Sequence, residues 1–136
     1  MKLVVNKCYG GFGLSPEGAE YYLSLIGKSA YFYEVTIDSK IGLRYQKVNI
    51  DKVSSLLFSI STKDFGDEPN DLGEGYFYDH YLKRDDPNLI KTVEDLGKRA
   101  GGRCSNLRVV EIPDGVDWTI EEYDGREWIA EKHRTW

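Results

Sequence analysis

A glycine-rich segment near the start of the chain, residues 9–13 (YGGFG), has the residue types of an anion-binding loop. It follows an apolar run, residues 3–5, and precedes a helical pattern that begins at Ser15. Backbone N–H groups in a glycine turn between a strand and a helix can converge on a phosphate oxygen, and the helix N-terminus adds partial positive charge. As a ligand loop, the segment would contribute the amides of Gly10, Gly11 and Gly13.

The spacing of these glycines leaves a second interpretation open. The order Gly-Gly-x-Gly matches neither the dinucleotide-binding fingerprint nor the phosphate-binding loop of nucleoside triphosphatases. The segment can therefore also be a tight turn in which Tyr9 and Phe12 fill the core. The flanking residues Asn6 and Lys7 and the interleaved aromatic side chains favour a ligand.

Arg84 is a candidate holder of a phosphate or carboxylate group. It precedes Asp86 and Pro87, which are typical of a helix N-cap and of the first helical residue. Asp85 could orient the guanidinium through a charge-assisted hydrogen bond. The alternative is a surface loop with a local ion pair.

The last residues of the sequence, 133–136 (HRTW), combine an arginine with a tryptophan. An arginine beside an aromatic ring can form a stacking platform for a base. Arg134 and Trp136 are therefore candidate ligand-binding residues. The alternative is a tail that packs back onto the body of the protein.

Catalytic and metal-binding signatures are not evident in the sequence. The two histidines, His80 and His133, and the two cysteines, Cys8 and Cys104, show no paired spacing of the kind that zinc sites use. We therefore predict no catalytic residue, no metal site and no cofactor. Both cysteines lie near apolar strand patterns, and we expect free, buried thiols.

Length and charge limit the possible partners. A chain of 136 residues predicts a single domain, residues 1–136. The formal net charge of −5 disfavours binding of long DNA or RNA, which depends on a basic surface. No leader sequence and no apolar run of membrane length is evident, so we expect a cytoplasmic protein with no membrane partner.

The elements that would position these residues alternate between strands and helices. Helices are predicted from Pro16 to Gly27 and from Pro87 to the pair Gly101-Gly102. Residues 116–123 and 126–132 predict a hairpin across Asp124-Gly125, the type I′ turn signal, with Ile120 opposite Ile129. Further strands are predicted at 2–5, 30–37, 56–60 and 107–112, and residues 41–50 predict either a strand or an irregular segment. The fold class is α+β: an antiparallel or mixed β-sheet with two helices packed on it and a C-terminal β-hairpin.

Three long segments carry a resemblance to known proteins. Residues 6–15 (NKCYGGFGLS), 84–97 (RDDPNLIKTVEDLG) and 109–136 (VVEIPDGVDWTIEEYDGREWIAEKHRTW) resemble a widespread family of small phage-encoded proteins. Through this family the chain is similar to phage anti-CBASS sponge proteins. Those proteins are small oligomers that bind cyclic dinucleotides and sequester them from host immune effectors without cleaving them.

The resemblance implies a homo-oligomeric, non-enzymatic immune-evasion protein of the host cytoplasm that binds a cyclic dinucleotide or another small phosphorylated ligand. It does not align a binding motif residue by residue, so the site is assigned from local chemistry. Tyr9 or Phe12, with Trp136, would stack on bases, Arg84 and Arg134 would hold phosphates, and the glycine amides would close around an oxygen.

Two other functions stay open. The acidic segment 62–75 and the glutamate-rich hairpin favour a protein-interaction module that inhibits or redirects a host protein. A small nucleotide hydrolase would use His80 together with Asp79 or Asp85.

Overall fold

The computed structural model describes residues 1–53 and 58–132. The predicted fold class is confirmed: the described residues form an α+β protein with antiparallel sheets and a C-terminal hairpin. The chain forms two compact units. The terminal unit comprises Met1–Gly18 and the described part of Asp79–Trp136, and the central unit comprises the described part of Ala19–Tyr78. The single domain stays a prediction.

The helices and strands follow one another in the order that the sequence patterns predict, with one short strand added before the second helix. The elements are β1 Lys2–Asn6, α1 Pro16–Leu25, β2 Tyr31–Asp38, β3 Gly42–Val48, β4 Phe58–Ser61, β5 Tyr76–Phe77, α2 Pro87–Leu96, β6 Leu107–Glu111, β7 Trp118–Tyr123 and β8 Arg126–Glu131.

In the terminal unit, β1 pairs with β6 and α2 packs on both strands. Val4 lies opposite Val109, and the apolar side chains of β1 are fully buried beside Leu89 of α2. Burial of such residues is the main stabilising contribution to a unit of this size. The paired strands β1 and β6 therefore fix the position of two chain segments: the one that follows Asn6 and the one that precedes Leu107.

The second helix begins as predicted but ends earlier. The side chain of Asp86 accepts a hydrogen bond from the N–H of Asn88 at 2.8 Å, and Pro87 is the first helical residue. The helix ends at Leu96, whereas the sequence pattern predicted an end at Gly101-Gly102. Gly97 has a φ of 58° and donates its N–H to the carbonyl of Val93, and this left-handed residue stops the helix.

The C-terminal hairpin has the predicted register. Ile120 lies opposite Ile129, and Trp128 lies opposite Glu121. Asp124 and Gly125 have φ values of 51° and 86°, as a type I′ turn requires. The last pair of the hairpin before its turn is therefore Tyr123 opposite Arg126.

In the central unit, the strands form an antiparallel sheet with the order β3-β2-β4-β5. Its buried side chains include Phe32 and Tyr33 of β2 and Ile60 of β4. The ring of Tyr22 in α1 stacks on Phe77 of β5, with 5.9 Å between ring centroids. β3 forms one edge of this sheet.

Two further observations concern the whole described chain. Cys8 and Cys104 are free but exposed, so the expectation of burial is wrong. Both lie outside the paired strands β1 and β6, Cys8 in the bend after β1 and Cys104 in the turn before β6. Among the described residues, no helix has both the length and the apolar character needed to cross a membrane.

Candidate ligand-binding groove

An open groove of about 380 Å³ lies in the terminal unit where the glycine segment meets the hairpin turn. The residues that line it come from the chain after β1 and from both strands of the hairpin. They are Lys7, Tyr9, Tyr123, Arg126, Glu127 and Trp128.

The glycine segment is held against the hairpin turn by backbone contacts. The N–H of Gly10 donates to the carbonyl of Asp124 at 3.1 Å. Gly125 packs so closely on this peptide that a Cβ at position 125 would overlap the backbone nitrogens of Gly10 and Gly11. The absence of a side chain at Gly125 thus allows the two turns to meet. The N–H of Gly10 is engaged in a hydrogen bond within the protein and does not face the groove as a free donor.

The side chain of Asn6 also holds the glycine segment and the hairpin turn together. It is fully buried, and its Nδ2 donates to the carbonyls of Cys8 and Gly125, both at 2.8 Å. Its Oδ1 accepts from the N–H groups of Cys8 at 3.2 Å and Asn106 at 2.8 Å. One amide side chain therefore joins the end of β1, the hairpin turn and the segment before β6.

A buried ion pair between Arg84 and Glu127 supports the floor of the groove. Nη2 of Arg84 lies 2.8 Å from Oε2 of Glu127, and Nη1 contacts Oε1 of the same carboxylate. Oε1 also accepts the N–H of Asn6 at 2.8 Å. Nη1 of Arg84 donates further to the carbonyl of Val4 at 3.3 Å. The guanidinium is thus engaged with the protein itself.

Phe12 lies beneath this pair and not in the groove. Its side chain is only 6% exposed, and the guanidinium carbon of Arg84 lies 3.8 Å from its ring centroid. A cation over a ring face is an attractive arrangement. Phe12 and Arg84 therefore pack against each other beneath the glycine segment.

Three aromatic side chains are exposed at the groove: Tyr9 at 53%, Tyr123 at 71% and Trp128 at 40%. The indole N–H of Trp128 donates to the carboxylate of Glu121 at 3.1 Å, across the hairpin. This bond limits the orientations of the indole and leaves its position defined before any ligand arrives. Rings of this kind can stack on a planar ligand.

Lys7 and Arg126 supply the positive charge of the groove. Both side chains are exposed, and neither forms an ion pair with any of the described residues. Glu127, the one carboxylate among the described residues that line the groove, is already paired with Arg84. The groove therefore combines aromatic surface with two cations that have no acidic partner in the described part of the chain.

The structure places the predicted site residues in three groups. Tyr9 lines the groove, and Gly10 and Gly11 form the turn beside it. Phe12 and Arg84 lie under the groove and pack against each other. The carbonyl of Gly13 accepts hydrogen bonds from the N–H of Gly102 and from the hydroxyl of Ser105, both at 2.9 Å. Arg134 and Trp136 lie outside the described residues.

The sequence interpretation missed three groove residues of the hairpin, Tyr123, Arg126 and Trp128, and considered Lys7 only as a flanking residue that favours a ligand. The signal of the hairpin residues was present, because the type I′ turn at Asp124-Gly125 places Tyr123 directly opposite Arg126. What the sequence did not supply was the contact between this turn and the glycine segment.

Asp79 and His80, the candidate residues of a hydrolase, lie elsewhere in the terminal unit. Oδ2 of Asp79 accepts the N–H of Leu14 at 2.8 Å, and Oδ1 lies 2.9 Å from Nδ1 of His80. Asp79 thus holds the chain after the glycine segment. Within residues 1–53 and 58–132, no group of three or more histidine, cysteine or acidic side chains is arranged to hold a metal ion.

The groove can bind a ligand that is both planar and anionic. Aromatic faces would bind the planar part by stacking, and Lys7 and Arg126 would bind the anionic part through charge-assisted hydrogen bonds.

Comparison with protein-family models, curated proteins and solved structures finds no match to this chain.

Proposed function

We propose that this protein binds a cyclic dinucleotide in the groove and sequesters it without cleaving it, as a phage anti-CBASS sponge does. The observation that carries the proposal is the convergence on one groove of exposed aromatic rings and of two cations that form no ion pair with the described residues. The net charge of the protein is −5, so a phosphorylated ligand would depend on local cations such as these two. The resemblance to phage-encoded proteins supplies the biological class of ligand.

The energies of the expected contacts are sufficient for tight binding. Stacking of a base contributes about 1–3 kcal/mol, and a hydrogen bond to a charged group contributes about 1.5–3 kcal/mol. A submicromolar Kd needs more than about 8 kcal/mol. Two stacked bases and two bound phosphates contribute about 5–12 kcal/mol, a range that includes this value, whereas one of each contributes about 6 kcal/mol at most.

The size of the groove favours a site shared by two copies of the chain. Its volume of about 380 Å³ is near the lower end of the range of about 300–1,000 Å³ that is typical of small-molecule sites. A cyclic dinucleotide has two similar halves, and a symmetric homodimer would present two such grooves to it. This arrangement would account for a homo-oligomer.

Binding without turnover is favoured by the state of the groove's carboxylate. Glu127 accepts hydrogen bonds from both terminal nitrogens of Arg84 and from the N–H of Asn6, so both oxygens of its carboxylate are engaged within the protein. A general base must be within hydrogen-bond reach of the proton that it removes and free to accept it. Among the described residues that line the groove, no other acid is available.

The proposal is tested with a panel of cyclic di- and trinucleotides. We expect at least one of them to raise the unfolding temperature of the protein and to give a saturable calorimetric signal. The ligand is then released by denaturation and analysed by chromatography, and we expect it to be unchanged. A panel with no response would refute the binding proposal, and a chemically altered ligand would favour the hydrolase instead.

A further inference from the structure

The two cysteines of the terminal unit lie in neighbouring chain segments. Cys8 follows β1 and Cys104 precedes β6, and these two strands pair antiparallel. One further backbone hydrogen bond extends the pairing beyond the strands, from the N–H of Lys7 to the carbonyl of Asn106 at 2.9 Å. Both cysteines are therefore at the same end of the β1–β6 ladder, although the sequence separates them widely.

The buried side chain of Asn6 fixes the backbone of Cys8 beside the second segment. Its Oδ1 accepts the N–H of Cys8 at 3.2 Å and the N–H of Asn106 at 2.8 Å, so the two N–H groups converge on one oxygen atom. Its Nδ2 donates to the carbonyl of Cys8 at 2.8 Å. The backbone of Cys8 is thus held at both its N–H and its carbonyl, next to a residue that lies two positions from Cys104.

The side chain of Cys104 is directed at the glycine segment. A Cβ at Gly10 would lie 2.6 Å from the Cβ of Cys104 and 2.9 Å from its carbonyl oxygen, closer than a real Cβ approaches its neighbours. Gly10 is two residues from Cys8, a separation that the chain spans in about 7 Å at most. Both thiols are free and exposed. The two segments are therefore in contact on both flanks of the cysteines, at Asn6 and at Gly10.

We propose that Cys8 and Cys104 are a redox-active pair that forms a reversible disulfide across this junction. A disulfide needs Cα atoms within about 7 Å, and the pairing of Lys7 with Asn106 holds the two segments at the spacing of neighbouring strands, about 5 Å. The exposure of both thiols gives access to a small disulfide such as oxidised glutathione. Exposed disulfides are the labile and regulatory ones, whereas structural disulfides resist reduction.

The exchange needs no reactant other than a small disulfide. The thiolate of one cysteine attacks a sulfur of glutathione disulfide, the sulfur–sulfur bond of glutathione breaks, and one glutathione leaves as a thiolate. The thiolate of the second cysteine then attacks the protein sulfur of this mixed disulfide and displaces the other glutathione. The two electrons and two protons that the protein loses end on two glutathione thiols, and reduced glutathione reverses both steps.

The disulfide would act on the glycine segment and, through it, on the groove. Cys8 lies between Lys7 and Tyr9, which both line the groove. The groove is formed while both thiols are free, so joining the two sulfurs has to shift Cys8 and its neighbours. We expect oxidation to weaken the binding of a cyclic dinucleotide. This consequence, unlike the disulfide itself, rests on the proposed function.

The test incubates the folded protein in glutathione buffers of graded redox potential, blocks free thiols with iodoacetamide and measures the mass of the intact chain. We expect a product that is two hydrogen atoms lighter than the reduced chain. Cys8→Ser and Cys104→Ser should each give only the mixed disulfide with glutathione. The matched control is Cys104→Ser combined with Glu111→Cys, which places the second thiol at the far end of the ladder, opposite Lys2, and should form no internal disulfide.

The proposal is overturned if the wild-type protein accumulates mixed disulfides with glutathione or a covalent dimer, or if the matched control forms an internal disulfide as readily. Calorimetric titration of both redox forms tests the consequence for the groove. Oxidation should raise the Kd of a cyclic dinucleotide about tenfold, the loss expected for one charge-assisted hydrogen bond. Equal Kd values would overturn the link to the groove. No binding in either form would refute the proposed function, while the mass measurement would still decide the disulfide.

Discussion

Arg84 and Glu127 are 43 residues apart in the chain and form a two-point ion pair beneath the groove. Their side chains are 17% and 6% exposed. The pair joins the segment before α2 to strand β8, and the N–H of Asn6 connects it to β1. Three separate parts of the sequence thus depend on one guanidinium and one carboxylate.

Breaking this pair should strongly destabilise the protein. Arg84→Met leaves a buried carboxylate without its cation, and we expect a loss of about 3–5 kcal/mol in the free energy of unfolding, measured by urea denaturation. Arg84→Met combined with Glu127→Gln should recover part of the loss, because glutamine is neutral and can still accept the N–H of Asn6. A loss below about 1 kcal/mol for Arg84→Met would mean that the pair behaves as a surface ion pair.

The contact between the two turns should make Gly125 far less replaceable than Gly11. Both glycines have positive φ, 86° and 97°, so alanine is strained at either position. Only at Gly125 would the added Cβ overlap backbone, since no atom lies within 4 Å of a Cβ at Gly11. We expect Gly11→Ala to cost about 1 kcal/mol and Gly125→Ala to cost at least twice as much in thermal or urea unfolding. Equal losses would contradict the close approach of the turns.

The aromatic residues of the groove should contribute to binding and little to folding. Trp128→Ala removes a stacking surface and should weaken the binding of a cyclic dinucleotide by about 1–3 kcal/mol, which is about 5- to 150-fold in Kd. Tyr81→Ala, at an exposed tyrosine outside the groove, is the matched control and should leave the Kd unchanged. Calorimetric titration measures both. The same affinity for the two variants would exclude Trp128 from the site.

The ion pair between Asp64 and Lys47 should make stability depend on pH at both extremes. The hydrogen bond from Lys47, followed by that from the N–H of Gly66, holds the pKa of Asp64 below its usual value, and the bond to Asp64 raises the pKa of Lys47. The contribution of Asp64 is therefore complete above pH about 4 and is lost as the pH falls through the folded-state pKa. That of Lys47 is complete below pH about 10.4 and is lost as the pH rises further.

Urea unfolding of the wild type and of Asp64→Asn at a series of pH values checks this dependence. The difference between the two midpoints should be constant near neutral pH and should shrink below pH about 4. Asp71→Asn, which removes an exposed carboxylate outside this ion pair, is the control. A difference that grows on acidification would have the wrong sign for a lowered pKa of Asp64.

Local sequence patterns predicted the elements of this fold because the signals that set them are local. The cap and proline at Asp86 and Pro87 start α2, and the turn at Asp124-Gly125 sets the register of the hairpin. The early end of α2 was missed, because Gly97 lies within a longer apolar pattern and only its left-handed backbone conformation stops the helix.

The candidate site was harder to predict because it depends on contacts between distant parts of the chain. Tyr9 was identified, but the ion pair that engages Arg84 comes from Glu127, and no sequence spacing indicates that partner. Tyr123, Arg126 and Trp128 had the same residue types as the predicted site residues. They were overlooked because the hairpin was considered only for its glutamates, as part of a protein-interaction module.

The Kd of the Arg126→Ala variant for a cyclic dinucleotide, measured beside that of the wild type by calorimetric titration, tests the central claim most directly. Arg126 lines the groove, whereas Arg103 is an exposed arginine outside it and serves as the matched control. We predict submicromolar binding by the wild type and by Arg103→Ala, and at least about tenfold weaker binding by Arg126→Ala, with unchanged unfolding midpoints. Equal affinities of the three proteins, or no binding by the wild type, would contradict the account.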